Sequence, residues 1–286
     1  MKELALRAIS REDLPKVLEI INAEGWNYTI VELERMLRLD PGGSFLAEMD
    51  GPVGVVTSVS YSRTGVIGHL VVSRHVRGRR IGRALMERVL EYLDSMGVES
   101  TLVFATEEGV PLYRKLGFRA TRDVFCLNAH LPAQVPSVST SHVRRYEDRD
   151  HEQVLTIDAR LFGDDRTKLM NLLLSENPDQ TYVIEAGGTI SGYVMARGGP
   201  LGYDLGPWVC LTGDSKDAAA LFTKAVSGLE RGLLFLGAFT ENLHAMDIVG
   251  RLEPFRSWPI KLMVRGAERY PGSIRETYGV VGFELG

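Results

Sequence analysis

The 286-residue sequence is poor in cysteine: Cys126 and Cys210 are its only two, far apart and with no histidine motif beside them. That argues against a disulfide scaffold or a zinc site and suits a reducing compartment, so a cytoplasmic location and no bound metal are expected. No apolar run approaches the ~20 residues that a membrane helix needs, so no membrane partner is expected. The opening Met1–Arg7 lacks the apolar stretch and small-residue cleavage site of a secretory signal. There is no excess of positive charge either. The formal net charge is −4, which speaks against a nucleic-acid binder driven by bulk charge. What is present is the mixture of a globular protein, 44% hydrophobic and 24% charged residues, with a length that suggests two domains.

Ala129–Ser141, with two prolines, four Ser/Thr residues and no periodicity, reads as a linker. The expected division is therefore 1–130, a linker over 131–141, and 142–286. The two sides resemble each other. Leu6–Asp13 leading into Val17-Leu18-Glu19-Ile20 recurs as Val143–Asp150 leading into Val154-Leu155-Thr156-Ile157, displaced by 137 residues. The same offset relates Ser44–Gly51 to Thr181–Gly188. Two matches at one offset indicate an internal duplication. Patterning over the first half predicts a strand at 4–9 and helices at 11–24 and 30–39. Strands at 44–49, 52–61 and 64–73 follow, then a helix at 80–96, a strand at 100–105, a helix at 108–116 and a strand at 118–127. Strand runs with interspersed helices imply an α+β fold on a mixed sheet.

The strongest local signal is His69–Leu85, a β-branched strand that runs through a glycine-containing turn into an amphipathic helix carrying Ile81, Leu85, Val89 and Leu93 on one face. A helix start leaves N–H groups without intrahelical acceptors and concentrates partial positive charge, which makes it a ready phosphate site. Gly78 and Gly82 let a diphosphate approach the backbone, and five arginines between positions 74 and 83 add positive potential. A solvated basic helix start and a nucleic-acid patch are the plainer alternatives. The second would need basic residues beyond one turn, whereas the helix that follows alternates Glu with Arg.

Downstream, Val103–Phe118 runs from a strand into a short helix ending Leu112-Tyr113-Arg114-Lys115-Leu116-Gly117-Phe118, where Gly117 suits a helix C-cap. Arg77–Ala84 resembles the Arg/Gln-x-x-Gly-x-Gly/Ala signature of the GNAT acetyltransferase superfamily, and Leu112–Phe118 resembles its later helix-to-strand motif. Both stand in the family's order and at about its distance. The resemblance implies a tandem GNAT-like fold of two similar lobes, acetyl-CoA as donor, and a primary amine of a small molecule as acceptor. Two departures stand out. Arg80 replaces the first glycine of the signature, so phosphate binding would need Arg80 in a helical conformation pointing outward. Thr106 stands where the family often has an Asn that meets the pantetheine arm.

Carried over residue by residue, the resemblance places the pantetheine arm along the strand at Leu70, Val71 and Val72. The diphosphate falls at Arg77, Gly78, Arg79, Arg80, Ile81, Gly82 and Arg83, with Thr106 and Tyr113 also at the cofactor. Tyr113 matches the general acid that protonates the departing thiolate; a core aromatic is the alternative. The general base stays open among His69, which by strand alternation shares a face with Val71, Glu107 just past the fifth strand, and a water relay. Trp26, Asn27 and Tyr28, in a Gly-Trp-Asn-Tyr run, are candidates to hold the amine, with helix packing as the plain alternative.

In the second half the arginines of the turn are gone, Asp214 and Asp217 stand where a diphosphate would lie, and Val249 stands near the place of Tyr113. Carboxylates there would repel phosphate, so this half reads as a degenerate lobe. Its expected job is to close the acceptor site, with Phe162, Asp164, Asp165 and Arg166 in a loop facing it; a purely structural role is the alternative. The expected activity is N-acetyl transfer by direct attack in a ternary complex, since neither cysteine has an activating setting. A non-catalytic acyl-CoA-binding sensor is the rival. The acceptor's identity and the oligomeric state are not legible.

Overall fold

A computed structural model describes residues 3–26, 28–131 and 137–286. Asn27 and residues 132–136 of the 131–141 linker lie outside the described residues. In chain order the elements are β1 (Ala5–Ala8), α1 (Leu14–Asn22), α2 (Ile30–Leu39), β2 (Phe45–Glu48), β3 (Pro52–Ser60), β4 (Thr64–Val72), α3 (Ile81–Ser95), β5 (Ser100–Ala105), α4 (Val110–Lys115) and β6 (Arg119–Leu131). There follow β7 (Val143–Arg145), α5 (His151–Phe162), α6 (Thr167–Glu176), β8 (Thr181–Ala186), β9 (Thr189–Gly198), β10 (Gly202–Cys210), α7 (Ser215–Ser227), β11 (Gly232–Phe239), α8 (Leu243–Gly250), β12 (Arg256–Gly266) and β13 (Thr277–Gly279). The expected α+β architecture on a mixed sheet is what the chain adopts. The predicted helix at 11–24 is a 3₁₀ turn at 11–13 that continues into α1.

The chain forms two compact units. The first comprises residues 1–120 together with 263–268 and 283–285; the second comprises 121–262, 269–282 and 286. In the first, the strand order is β1-β2-β3-β4-β5, followed by the end of β12. β1 to β4 are antiparallel neighbours, and β4 and β5 are parallel. α3 lays Ile81, Leu85, Met86, Val89 and Leu93 over one face of this sheet, with Phe45, Val56, Ile67 and Val103. α1 and α2 cover the other face through Val17, Ile21 and Leu33, against Leu46, Val55 and Val71. α2 starts from a capping box in which Thr29 and Glu32 satisfy each other's backbone N–H groups. In the second unit the order is β12-β6-β11-β10-β9-β8-β7, with β13 on β10. Its core gathers Trp208, Phe222, Leu234, Ile248, Val249 and Tyr278.

The duplication is visible in side chains. Arg7 grips Asp13 with both terminal nitrogens at 2.6 and 2.7 Å and bonds Glu48 at 2.9 Å. Displaced by the same 137 positions, Arg144 grips Asp150 at 2.7 Å twice and bonds Glu185 at 2.6 Å. The strand registers correspond as well, Leu6 facing Ala47 and Val143 facing Ile184. The paired arginine holds the Asp13 carboxyl well below the usual carboxylate range.

Candidate active site

In the first unit β4 and β5 pair only from Thr64 with Ser100 to Ile67 with Val103, and beyond that they part. The parting coincides with a bulge: between Val55–Val71 and Thr57–Gly68 the β3–β4 register slips, and His69 adopts a left-handed φ of 46°. The extra residue explains why Ile67, Leu70 and Val72 all pack on the α3 face while Val71 packs with α1 and α2. Ser73 N–H donates to Val53 across the ladder, so by alternation Leu70 and Val72 turn their backbone groups away from β3, toward the side from which β5 has parted.

The turn after β4 presents a run of donors. Among the described residues, the N–H groups of Gly78 to Arg83 have no backbone acceptor, and no side chain caps α3. Arg80 is not helical as the motif had suggested. It is the N-cap, in left-handed geometry at φ 63° and ψ 12°, a conformation that glycine adopts without strain. Gly78 is also left-handed, at φ 81°, with open space where a side chain would begin.

The arginines divide into two sets. Arg77, expected at the diphosphate, donates from Nε to the Val72 carbonyl at 2.8 Å and from Nη2 to Glu24 at 2.6 Å, so it braces the turn. Arg83 bonds Glu87 at 2.7 Å along the helix. Arg79 and Arg80 are exposed and carry no side-chain partner among the described residues. Glu24 with Ile20, Ala23, Ser73, Arg74 and His75 lines a hollow of about 360 Å³ beside the turn.

Tyr113 sits on α4, its ring buried with Val76, Ile81, Ala105 and Phe118. Gly109 makes room for that ring: a methyl group there would come within 2.8 Å of Tyr113 Cε2. Burial pushes the phenol well above its usual range, so it keeps its proton at neutral pH. Its hydroxyl bonds nothing among the described residues. Gly117, at φ 88°, follows the Leu116 C-cap and closes α4 in left-handed geometry. Thr106 and Glu107 are exposed in the turn before α4, and no contact joins Glu107 to His69.

His69 is 4% exposed and faces Thr57 and the Tyr28 ring. Its Nδ1 meets Thr57 Oγ1 at 2.8 Å, while Nε2 is buried with no hydrogen-bond partner. Desolvation lowers its pKa to about 4, opposed by the charge of Glu284, so the ring is neutral at pH 7 and a weak base. Tyr28 stands edge-on to it at 4.2 Å, with Trp26 at 6.3 Å. The Asn22 side chain holds both backbone groups of Tyr28, at 2.9 and 3.1 Å, and so presents the aromatic loop. One residue was missed from sequence. Glu284 lies over Gly68, its Cα 2.8 Å from where a Gly68 side chain would begin, and its Oε2 accepts the Tyr28 hydroxyl at 2.9 Å. The only hint was a carboxylate standing alone in the apolar run Val280–Leu285.

The second unit handles the matching places differently. β10 and β11 pair in parallel from Gly202 with Leu233 to Asp204 with Phe235, and then β13 pairs with β10 at Trp208 and Val209. Val280 N–H, just after β13, donates to Gly237 on β11. The chain itself thus occupies the gap between β10 and β11. At the start of α7 the Asp214 carboxylate accepts Lys216 N–H at 2.8 Å, and Asp217 bonds His142 at 3.0 Å. Phe162, expected at the acceptor, lies instead in the core: it is 1% exposed at the end of α5, its ring tilted against Tyr270 at 5.1 Å and covered by the Arg166 guanidinium. Arg166 is likewise buried, on Asp158 at 2.8 and 2.9 Å. Gly163 ends α5 in left-handed geometry, which turns these residues into the core.

Residues 6–118 match the model of the Acetyltransferase (GNAT) family, and residues 154–279 match that of an Acetyltransferase (GNAT) domain. The sequence is similar to the uncharacterized N-acetyltransferase YitH of Bacillus subtilis (strain 168), at 22% identity over 226 residues and 77% of each chain. It is 29% identical over 133 residues to the glucosamine 6-phosphate N-acetyltransferase of Trypanosoma brucei brucei, covering 41% of this chain and 90% of that one. In fold it resembles a Pyrococcus horikoshii structure assigned as an acetyltransferase, with a TM-score of 0.83 at 20% identity over all of this chain and 97% of the other. A GCN5-related N-acetyltransferase of Sphaerobacter thermophilus gives a TM-score of 0.68 at 15% identity over 92% and 95%.

Proposed function

The chain belongs to the GNAT superfamily of N-acetyltransferases as a tandem protein, and on that premise we propose that its first unit moves an acetyl group from acetyl-CoA to a primary amine of a small molecule, while the second unit binds no cofactor. The observation that carries this reading is the unbroken run of unpaired N–H groups from Gly78 to Arg83, at a helix start beside a splayed strand pair. That run fits a diphosphate, because fixed backbone donors and the helix dipole hold anions without reorganising. Arg79 and Arg80 are the guanidinium groups free to join it, Arg77 holds the turn in shape, and Arg83 is paired with Glu87 along the helix. The backbone groups of Leu70 and the N–H of Val72, whose carbonyl is taken by Arg77, fit an amide-bearing arm laid along β4. The donor supplies an activated thioester carbonyl; all else is the protein's. Tyr113 holds a proton on an unpartnered hydroxyl, as a general acid for a leaving thiolate requires. The same unpartnered hydroxyl favours catalysis over a sensor that only binds acyl-CoA.

Direct transfer is supported by the cysteines, both buried and both shifted upward by desolvation, which makes them poor nucleophiles. In the second unit β13 lies in the gap that an arm would need, and the Asp214 carboxylate sits on the helix start. The Trypanosoma relative, named for glucosamine 6-phosphate, supports a small-molecule acceptor. The test is Tyr113→Phe assayed by release of the CoA thiol across a panel of amines. A fall in kcat of roughly 100-fold with unchanged acetyl-CoA affinity is expected of a general acid; unchanged turnover removes that role.

A further inference from the structure

Glu284 poses an electrostatic problem. It is 5% exposed, its Oε2 is held by one phenol, its Oε1 keeps only an edge of contact with solvent, and among the described residues Oε1 has no hydrogen bond and neither oxygen has an Arg or Lys partner. A carboxylate taken out of water is strongly disfavoured unless it is paired with a cation or well bonded. The groups beside it supply no cation. Tyr28 gives a neutral hydroxyl, and His69, its ring 4.2 Å from that of Tyr28, is neutral at pH 7. Two aromatic rings, Trp26 and Tyr28, lie 6.2 Å apart edge to face, and Trp26 is 39% exposed, so the cluster is open to solvent at that end. A second observation is independent of the carboxylate: His69 Nε2 is buried and unpartnered, beyond what the Thr57 contact satisfies.

A carboxylate lacking its cation, aromatic rings and an orphaned polar nitrogen share one complement, a primary ammonium. Its charge answers the carboxylate, its N–H groups answer the lone pairs of Glu284, and its aliphatic flank suits the rings; His69 Nε2 joins as an acceptor in the tautomer that carries its proton on Nδ1, donating to Thr57. We propose that Glu284, with Trp26, Tyr28 and His69, is the specificity-determining group of an acceptor subsite, and that it selects a primary ammonium with no anionic group beside it. A carboxylate or phosphate next to the amine would face Glu284, with no positive charge among these four residues to offset it. The inference rests on the N-acetyltransferase reading for its meaning, not for its test.

The test is binding, followed by ligand-observed NMR on the full chain, with benzylamine as the charged probe and benzyl alcohol as its neutral counterpart. The wild type should bind benzylamine at least tenfold more tightly than benzyl alcohol. Glu284→Gln keeps an acceptor for the Tyr28 hydroxyl and removes the charge, so it should bring the two probes within about twofold while leaving coenzyme A affinity unchanged. It should also melt no lower than the wild type, because a buried charge has gone; a structural carboxylate would show the opposite. Glu284→Asp should restore part of the preference. Equal binding of the two probes by the wild type, or a preference that survives Glu284→Gln, overturns the proposal. Either result leaves the transferase reading standing, since that is decided separately by thiol release with the amine panel.

Discussion

Arg80 shows how a departure from a motif can be read physically. Left-handed backbone disfavours a residue with a Cβ by roughly 1–2 kcal/mol, and Arg80 accepts that at a turn where glycine would not. What remains after the exchange is the N–H, which is all the cradle asks of the backbone, together with an exposed guanidinium. Arg80→Gly is therefore expected to leave stability equal or higher, whereas Arg80→Val, β-branched, should unfold more easily by about 2 kcal/mol relative to the Gly variant. Urea unfolding of the pair checks this; equal stabilities would mean that the turn is not held left-handed. The roles of individual arginines were the least legible part of the site. The resemblance put Arg77, Arg79, Arg80 and Arg83 alike at the diphosphate, whereas in the structure Arg77 is engaged by Glu24 and Arg83 by Glu87 along the helix. Charge alone does not say which guanidinium is already engaged.

At the scale of elements, periodicity located the strands and helices of the first half closely, because each buries a continuous apolar face. It could not foresee pairings between distant segments. The bulge at His69 arises from a register slip against β3, and Glu284 reaches Tyr28 across 256 residues of chain. Phe162 illustrates the same limit: an aromatic beside charged residues looked like a loop contact and turned out to close the core with Tyr270. The start of α7 carries its own prediction. Asp214 caps the helix, so Asp214→Ala should lower stability by about 1 kcal/mol. It should still confer no affinity for coenzyme A, since β13 continues to occupy the strand gap. Thermal melts with and without the cofactor measure both; a cofactor-dependent rise specific to this variant's second unit would contradict the obstructed-gap account.

For the whole molecule, the repeated ion-pair clusters of Arg7 and Arg144 show that both units come from one ancestral pattern, and the differences between them carry the functional argument. Among the described residues, one helix start offers six N–H groups without a backbone acceptor, and the other is met by its own aspartate. One strand pair opens, and the other encloses β13. The duplication was visible in the sequence as a constant offset, and so was the loss of arginines. That a strand fills the second gap was not, because Thr277–Gly279 is too short for any period to announce. The central claim is that the first unit alone holds the diphosphate, and calorimetric titration of the full chain with coenzyme A tests it most directly. A stoichiometry of one per chain is expected, with affinity weakened roughly tenfold or more in the Arg79→Ala, Arg80→Ala double variant. Two sites per chain, or an affinity indifferent to those two arginines, would contradict it.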